Sequence, residues 1–101
     1  MRKHPQFTAL FGINDELAVN AIRALQEMGL RVPQDVSVIG YDDIDPAANA
    51  KPALTTFHVD TVAMGRAAVQ LLISRLENPD SARITLTIHP TLIERESVAE
   101  R

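Results

Sequence analysis

This 101-residue chain predicts an α/β fold, a parallel sheet flanked by helices. Three observations carry the prediction. Short runs rich in β-branched and aromatic residues alternate with longer segments in which apolar positions recur at helical spacing. Those helical segments are long enough to cross over a sheet and return the chain parallel to its previous strand. Every change of period is marked by glycine, proline, asparagine or aspartate, the residues that cap helices and make turns.

The elements follow in order. FTALF, Phe7 to Phe11, is a short apolar run that suits a buried strand, and it breaks at Gly12. Asn14 or Asp15 is a good N-cap for the next segment. From Asp15 to Met28, Leu17, Ala18, Ala21, Ile22, Leu25 and Met28 keep helical spacing, and Gly29 stands just past the expected end. Turn chemistry at 31–35 leads into a second strand, Val36 to Tyr41. A proline- and alanine-rich stretch then reads as a loop, and Leu54 to Val59 reads as a third strand. Asp60 caps a helix from Thr61 to Glu77 with Val62, Val69, Leu72, Ile73 and Leu76 on one face, and Asn78-Pro79-Asp80 ends it. Ile84, Leu86 and Ile88 alternate with polar residues, the pattern of a half-buried strand. Thr91 to Arg95 reads as a last short strand.

Composition sets bounds on function. Hydrophobic residues make up 46% and charged residues 23%, so the chain can form a packed domain rather than a disordered one. A net charge of −3 provides no electrostatic footprint for nucleic acid or an anionic membrane. Cysteine is absent, which excludes disulfide staples and zinc-thiolate sites. No apolar run approaches the roughly 18 residues of a membrane span, and MRKHPQFT lacks the apolar core of a signal peptide. The chain therefore reads as soluble and cytoplasmic.

The stretch VIGYDDIDPAANAKPALTT, residues 38–56, raises the functional question. In open parallel sheets, ligands bind beyond the carboxyl ends of the strands. Asn14 follows the first strand and Asp42 follows the second, so both fall on that edge. A carboxylate accepts hydrogen bonds, and an amide both donates and accepts, a pair suited to neighbouring hydroxyls on a polyol. Spacing alone leaves a second reading open, in which Asn14 only caps its helix and Tyr41-Asp42-Asp43 is a solvated turn.

Three blocks carry a resemblance: TALFGINDELAVNAIRALQEMGLRVPQDVSVIGYDDID, PALTTFHVDTVAMGRAAVQLLISRLE and TLIERES. The resemblance they carry covers residues 7–98: in order, they resemble the C-terminal part of the effector-binding domain of lactose/galactose-repressor (LacI/GalR) transcription regulators. The resemblance implies a periplasmic-binding-protein-like (type I) core of two subdomains that close on a small effector, usually a sugar, in dimers or tetramers. It places effector contacts on Asn14 and Asp42 and leaves Asp43 to stabilise the loop. It assigns subunit pairing to the outer side of the first long helix, through Leu17 and Ala21, and to the loop from Pro46 to Lys51, through Ala47, Ala48 and Ala50. It also implies that residues 7–57 and 83–98 belong to the C-terminal subdomain and the helix at 60–78 to the N-terminal one. The family often has a polar residue three positions past the second threonine of L-T-T; here that position is Val59.

Operator DNA is reached in the family through an N-terminal helix-turn-helix, and neither that segment nor the first half of the sensor core is in this sequence. The expectation is a truncated regulator or a short open reading frame, with Met1 an internal methionine, that does not bind DNA specifically by itself. A periplasmic sugar-binding protein of a transporter shares the core and is the alternative. No catalytic set, cofactor site or metal site emerges. Asp42, Asp43 and Asp45 lack the glycine and later glutamate of an EF-hand, Ser37 and Ser74 lack a nucleophile elbow, and His4, His58 and His89 have no ligand spacing.

Overall fold

The structure is a computed structural model that describes residues 6–101; Met1 and His4 lie outside the described residues. Backbone contacts divide the chain into two compact units, one ending at His58 and resuming at Thr91, the other formed by Val59–Pro90.

The first unit contains β1 (Ala9–Phe11), α1 (Asp15–Glu27), β2 (Ser37–Ile39), α2 (Asp45–Asn49), β3 (Thr56–His58) and a strand after the second unit, β4 (Thr91–Ile93). Strands β1 and β2 pair parallel in the register Ala9–Ser37, Leu10–Val38 and Phe11–Ile39. Parallel bridges Ile39–Thr55 and Asp42–His58 lay β3 beside the end of β2. β4 is antiparallel to β3, with Phe57 opposite Leu92. An antiparallel edge strand on an otherwise parallel sheet is common in α/β folds.

α1 forms where helical spacing predicted it. The Asn14 side chain accepts the Leu17 N–H at 2.9 Å as N-cap, so Asp15 becomes the first helical residue. Ala18, Ile22 and Leu25 recur at the spacing of one helix face and are buried with Val36, Val38 and Leu54. Burial of Ile22 or Leu25 stabilises the unit by about 1.5–3 kcal/mol each. Leu17 and Met28, on the flanks of that stripe, are about half exposed. At the far end Leu30 N–H reaches the Leu25 carbonyl at 2.9 Å and Gly29 N–H reaches Gln26 at 3.0 Å. That pair of bonds is the Schellman arrangement. It requires a left-handed residue, and Gly29 has φ +84°.

Two expectations for this unit change. The stretch after Asp45, read as a loop, begins with the five-residue helix α2. Pro46 lies in its first turn, where a missing N–H costs nothing. Ala47, assigned to a subunit surface, has no exposed area and packs in the core of this unit. It cannot meet a partner in this conformation.

In the second unit α3 (Thr61–Glu77) has the boundaries the sequence predicts, with Asp60 accepting the Ala63 N–H at 2.9 Å and Asn78 at the end. The alternating segment Ile84–Ile88 forms no strand among the described residues. Period-two patterning marks a face but supplies no ladder partner, and here residues 83–90 group with α3 instead. Leu86 and Ile88 line an apolar groove of 220 Å³ with Met64 and Leu71 of that helix. No residue of α3 is buried, and Val62, Val69, Leu72, Ile73 and Leu76 are all exposed. No helix among the described residues is long and apolar enough to cross a membrane.

Candidate functional site

The ladder between β1 and β2 continues beyond both strands. Gly12 N–H donates to the Ile39 carbonyl at 2.8 Å and Asp15 N–H to the Tyr41 carbonyl at 3.0 Å. Since Phe11 pairs with Ile39, Asn14 and Asp42 stand at matching offsets past the carboxyl ends of neighbouring parallel strands. That is the edge where open α/β sheets bind ligands.

The loop carrying Asp42 has an unusual backbone. Asp42 and Asp43 have φ values of 125° and 63°, conformations that side chains other than glycine seldom adopt. Such conformations persist only when their surroundings over-determine them, and they cluster at binding and catalytic sites. Here the restraints can be named. Asp42 N–H donates to the Phe57 carbonyl at 2.9 Å. The Asp43 carboxylate accepts from Arg95 Nη2 at 2.7 Å and pairs with His58 Nδ1 at 3.1 Å. Ile44 N–H donates to Asp15 Oδ2 at 3.0 Å.

The two adjacent acids therefore differ in kind. Asp43 is four-fifths buried and engaged on both oxygens. The Arg95 guanidinium hydrogen-bonded to it holds its carboxyl below the usual carboxylate range, against the opposing effect of burial and with His58 adding to the pull. Asp42 is exposed, and its carboxylate makes no hydrogen bond among the described residues. The rings of Tyr41 and Phe57 lie with centroids 5.7 Å apart, tilted 38° to one another.

Sequence reasoning missed Asp15. Fully buried, it accepts the Thr56 hydroxyl on Oδ1 at 2.5 Å and the Ile44 N–H on Oδ2. Its only sequence signal was an ambiguity with Asn14 over which residue caps α1. Gly40 lies against it: a Cβ there would collide with Asp15 Oδ1 and come within 2.9 Å of Leu54 Cδ2.

The R-E-S ending also acquires a physical role. Arg95 donates to the Leu54 carbonyl at 3.0 Å as well as to Asp43. Glu96 exchanges two 3.0 Å bonds with Ala53, through its N–H and its carboxylate. Ser97, fully buried, donates to the Val38 carbonyl at 2.5 Å and accepts the Thr55 N–H at 2.9 Å.

Of the residues assigned to subunit pairing, Leu17 and Ala48 are exposed, Ala21 and Ala50 are half-buried, and Ala47 is in the core. No group of three or more His, Asp or Glu is placed to hold a metal among the described residues.

The fold is an α/β domain in which Asn14 and Asp42 stand at the carboxyl ends of neighbouring parallel strands. The chain belongs to the family of periplasmic binding protein-like domains, matched over residues 1–98, and its relatives there are LacI-type transcription regulators. It is 46% identical over 93 residues to the HTH-type transcriptional repressor PurR of Klebsiella pneumoniae, covering 92% of this chain and 27% of that protein. Among solved structures it is similar to a LacI family transcriptional regulator from Enterococcus faecalis with bound ribose. That match has a TM-score of 0.81 and 37% identity and covers 94% of this chain and 36% of the other. The lac repressor dimer bound to operator and the anti-inducer ONPF matches with a TM-score of 0.81 and 33% identity, over 92% of this chain and 32% of that one. The chain thus spans between 27% and 36% of the length of these relatives.

Proposed function

We propose that this chain is the effector-sensing and dimerising portion of a cytoplasmic LacI-type regulator of carbohydrate-related genes. Asn14 and Asp42 contact hydroxyls of a sugar or related small polar effector. One observation carries this reading: at the ligand edge of the sheet, Asp42 is exposed with no hydrogen-bond partner among the described residues, while Asp43 beside it is locked by Arg95. The αL conformation of Asp43 is one that aspartate adopts in ordinary turns, whereas φ of 125° at the exposed Asp42, its carboxylate unbonded among the described residues, is not. The relatives support a regulator over a transporter component, since one is a repressor by name and another is held on operator DNA. They support a sugar because a third holds ribose, and they favour regulation over catalysis.

In this reading residues 7–57 and 91–98 serve the C-terminal subdomain, and the helix at 60–78, with residues 83–90 grouped with it, serves the N-terminal one. A second copy pairs through Leu17, Ala21, Ala48 and Ala50. Operator DNA is engaged by a helix-turn-helix of the parent protein, outside this sequence.

A gel shift tests the proposal. The full-length gene product is bound to DNA from its own upstream region and titrated with D-ribose and a panel of other sugars. One sugar should change operator occupancy in the wild type and fail to do so in Asp42→Asn. Equal responses from the two proteins would refute the assignment.

A further inference from the structure

We propose that Asp15 is a positioning residue for the effector site: its buried carboxylate fixes the loop carrying Asp42 relative to Asn14. This rests on the effector reading above and deepens it. An unexposed carboxylate is expensive to bury and survives only where its oxygens are satisfied. Those of Asp15 are satisfied by groups from two other elements. Oδ2 receives the Ile44 N–H from the loop after β2, and Oδ1 receives the hydroxyl of Thr56 on β3. Its own N–H donates to the Tyr41 carbonyl.

Asp15 therefore grips the Asp42 loop on both sides, at Tyr41 and at Ile44, and ties it to β3. Because Asn14 precedes it directly, the same residue links the two proposed effector contacts. Gly40 preserves the arrangement by leaving room for Oδ1. An aspartate serving only the helix dipole would act from an exposed first turn, as Glu16 does.

NMR-detected amide exchange in the full-length gene product, without any ligand, tests this. In Asp15→Ala the Ile44 and Asp42 amides should exchange about tenfold or more faster, while the interior of α1 changes less. Thr56→Val keeps side-chain volume and removes one bond; it should loosen the same two amides, and Thr56→Ser should restore them. Leu25→Ala, in the core of the same helix, should speed exchange across the unit without singling out the loop. If Asp15→Ala does not fold, Thr56→Val decides. Unchanged loop exchange in Thr56→Val, or a rise no greater than that of α1, overturns the proposal. The effector reading fails separately, through unaltered sugar affinity in Asp42→Asn, a change that leaves the Asp15 contacts intact.

Discussion

The Asp43 carboxylate takes a 2.7 Å hydrogen bond from Arg95 and so fastens the loop after β2 to the residues following β4, 52 positions later in the chain. This contact leaves Asp42 as the acid that faces outward, and it is the clearest source of acid sensitivity in the site.

Asp43→Asn should lower stability at pH 7 by about 1–3 kcal/mol, the scale of a partly buried hydrogen bond between charged groups. Its folded carboxyl lies below the ordinary value, so the unfolded chain binds the proton more readily. The stabilisation is complete above about pH 4 and fades as pH falls through the lowered folded value. Urea denaturation from neutral pH to about pH 2.5 should show wild type and Asp43→Asn converging at the acid end. A constant gap would mean that the ion pair contributes nothing.

Gly40→Ala should cost about 1–3 kcal/mol through overpacking, because the added methyl meets Asp15 and Leu54 inside the unit. Gly29→Ala meets no atom but keeps φ at +84°, so its cost, about 1 kcal/mol, is one of backbone conformation alone. Denaturant midpoints that rank the two equally, or place Gly29→Ala as the worse, would contradict this account of Gly40.

Much of the architecture was legible because local chemistry and pattern agreed. Asp60 and Asn78 bracket α3, and Asn14 with Gly29 brackets α1. Where one signal competed with another, the sequence misled. Pro46 and the alanines after it suggest a loop until Pro46 is placed in a helical first turn. Ile84–Ile88 has strand periodicity and, among the described residues, no partner strand. The direction of β4 depends on where the chain re-enters the sheet, which no local pattern encodes. Asn14 and Asp42 were reachable from strand-end position. The left-handed backbone at Asp42 and Asp43 was not, since neither is glycine, and Asp15 was hidden as a second candidate cap. The R-E-S ending was readable only as a family signature; its bonds to Asp43, Ala53, Val38 and Thr55 connect residues about 40 to 60 positions apart.

The chain produced alone should self-associate. The exposed apolar side chains of α3 each give up about 1.5–3 kcal/mol if left in water, and a second copy can cover them at low cost. Analytical ultracentrifugation at micromolar concentration should show a dimer or larger species. A compact monomer with one cooperative melt would contradict this.

Calorimetry on the full-length gene product tests the central claim most directly, using the sugar that alters its operator binding. Asp42→Asn keeps the shape of the side chain and removes its charge. Affinity should fall by about 1.5–3 kcal/mol, roughly ten- to a hundredfold, while the melting temperature stays near that of the wild type because the group is exposed at a strand end. Unchanged affinity, or a melting temperature lowered as far as Leu25→Ala lowers it, would return Asp42 to a purely structural role.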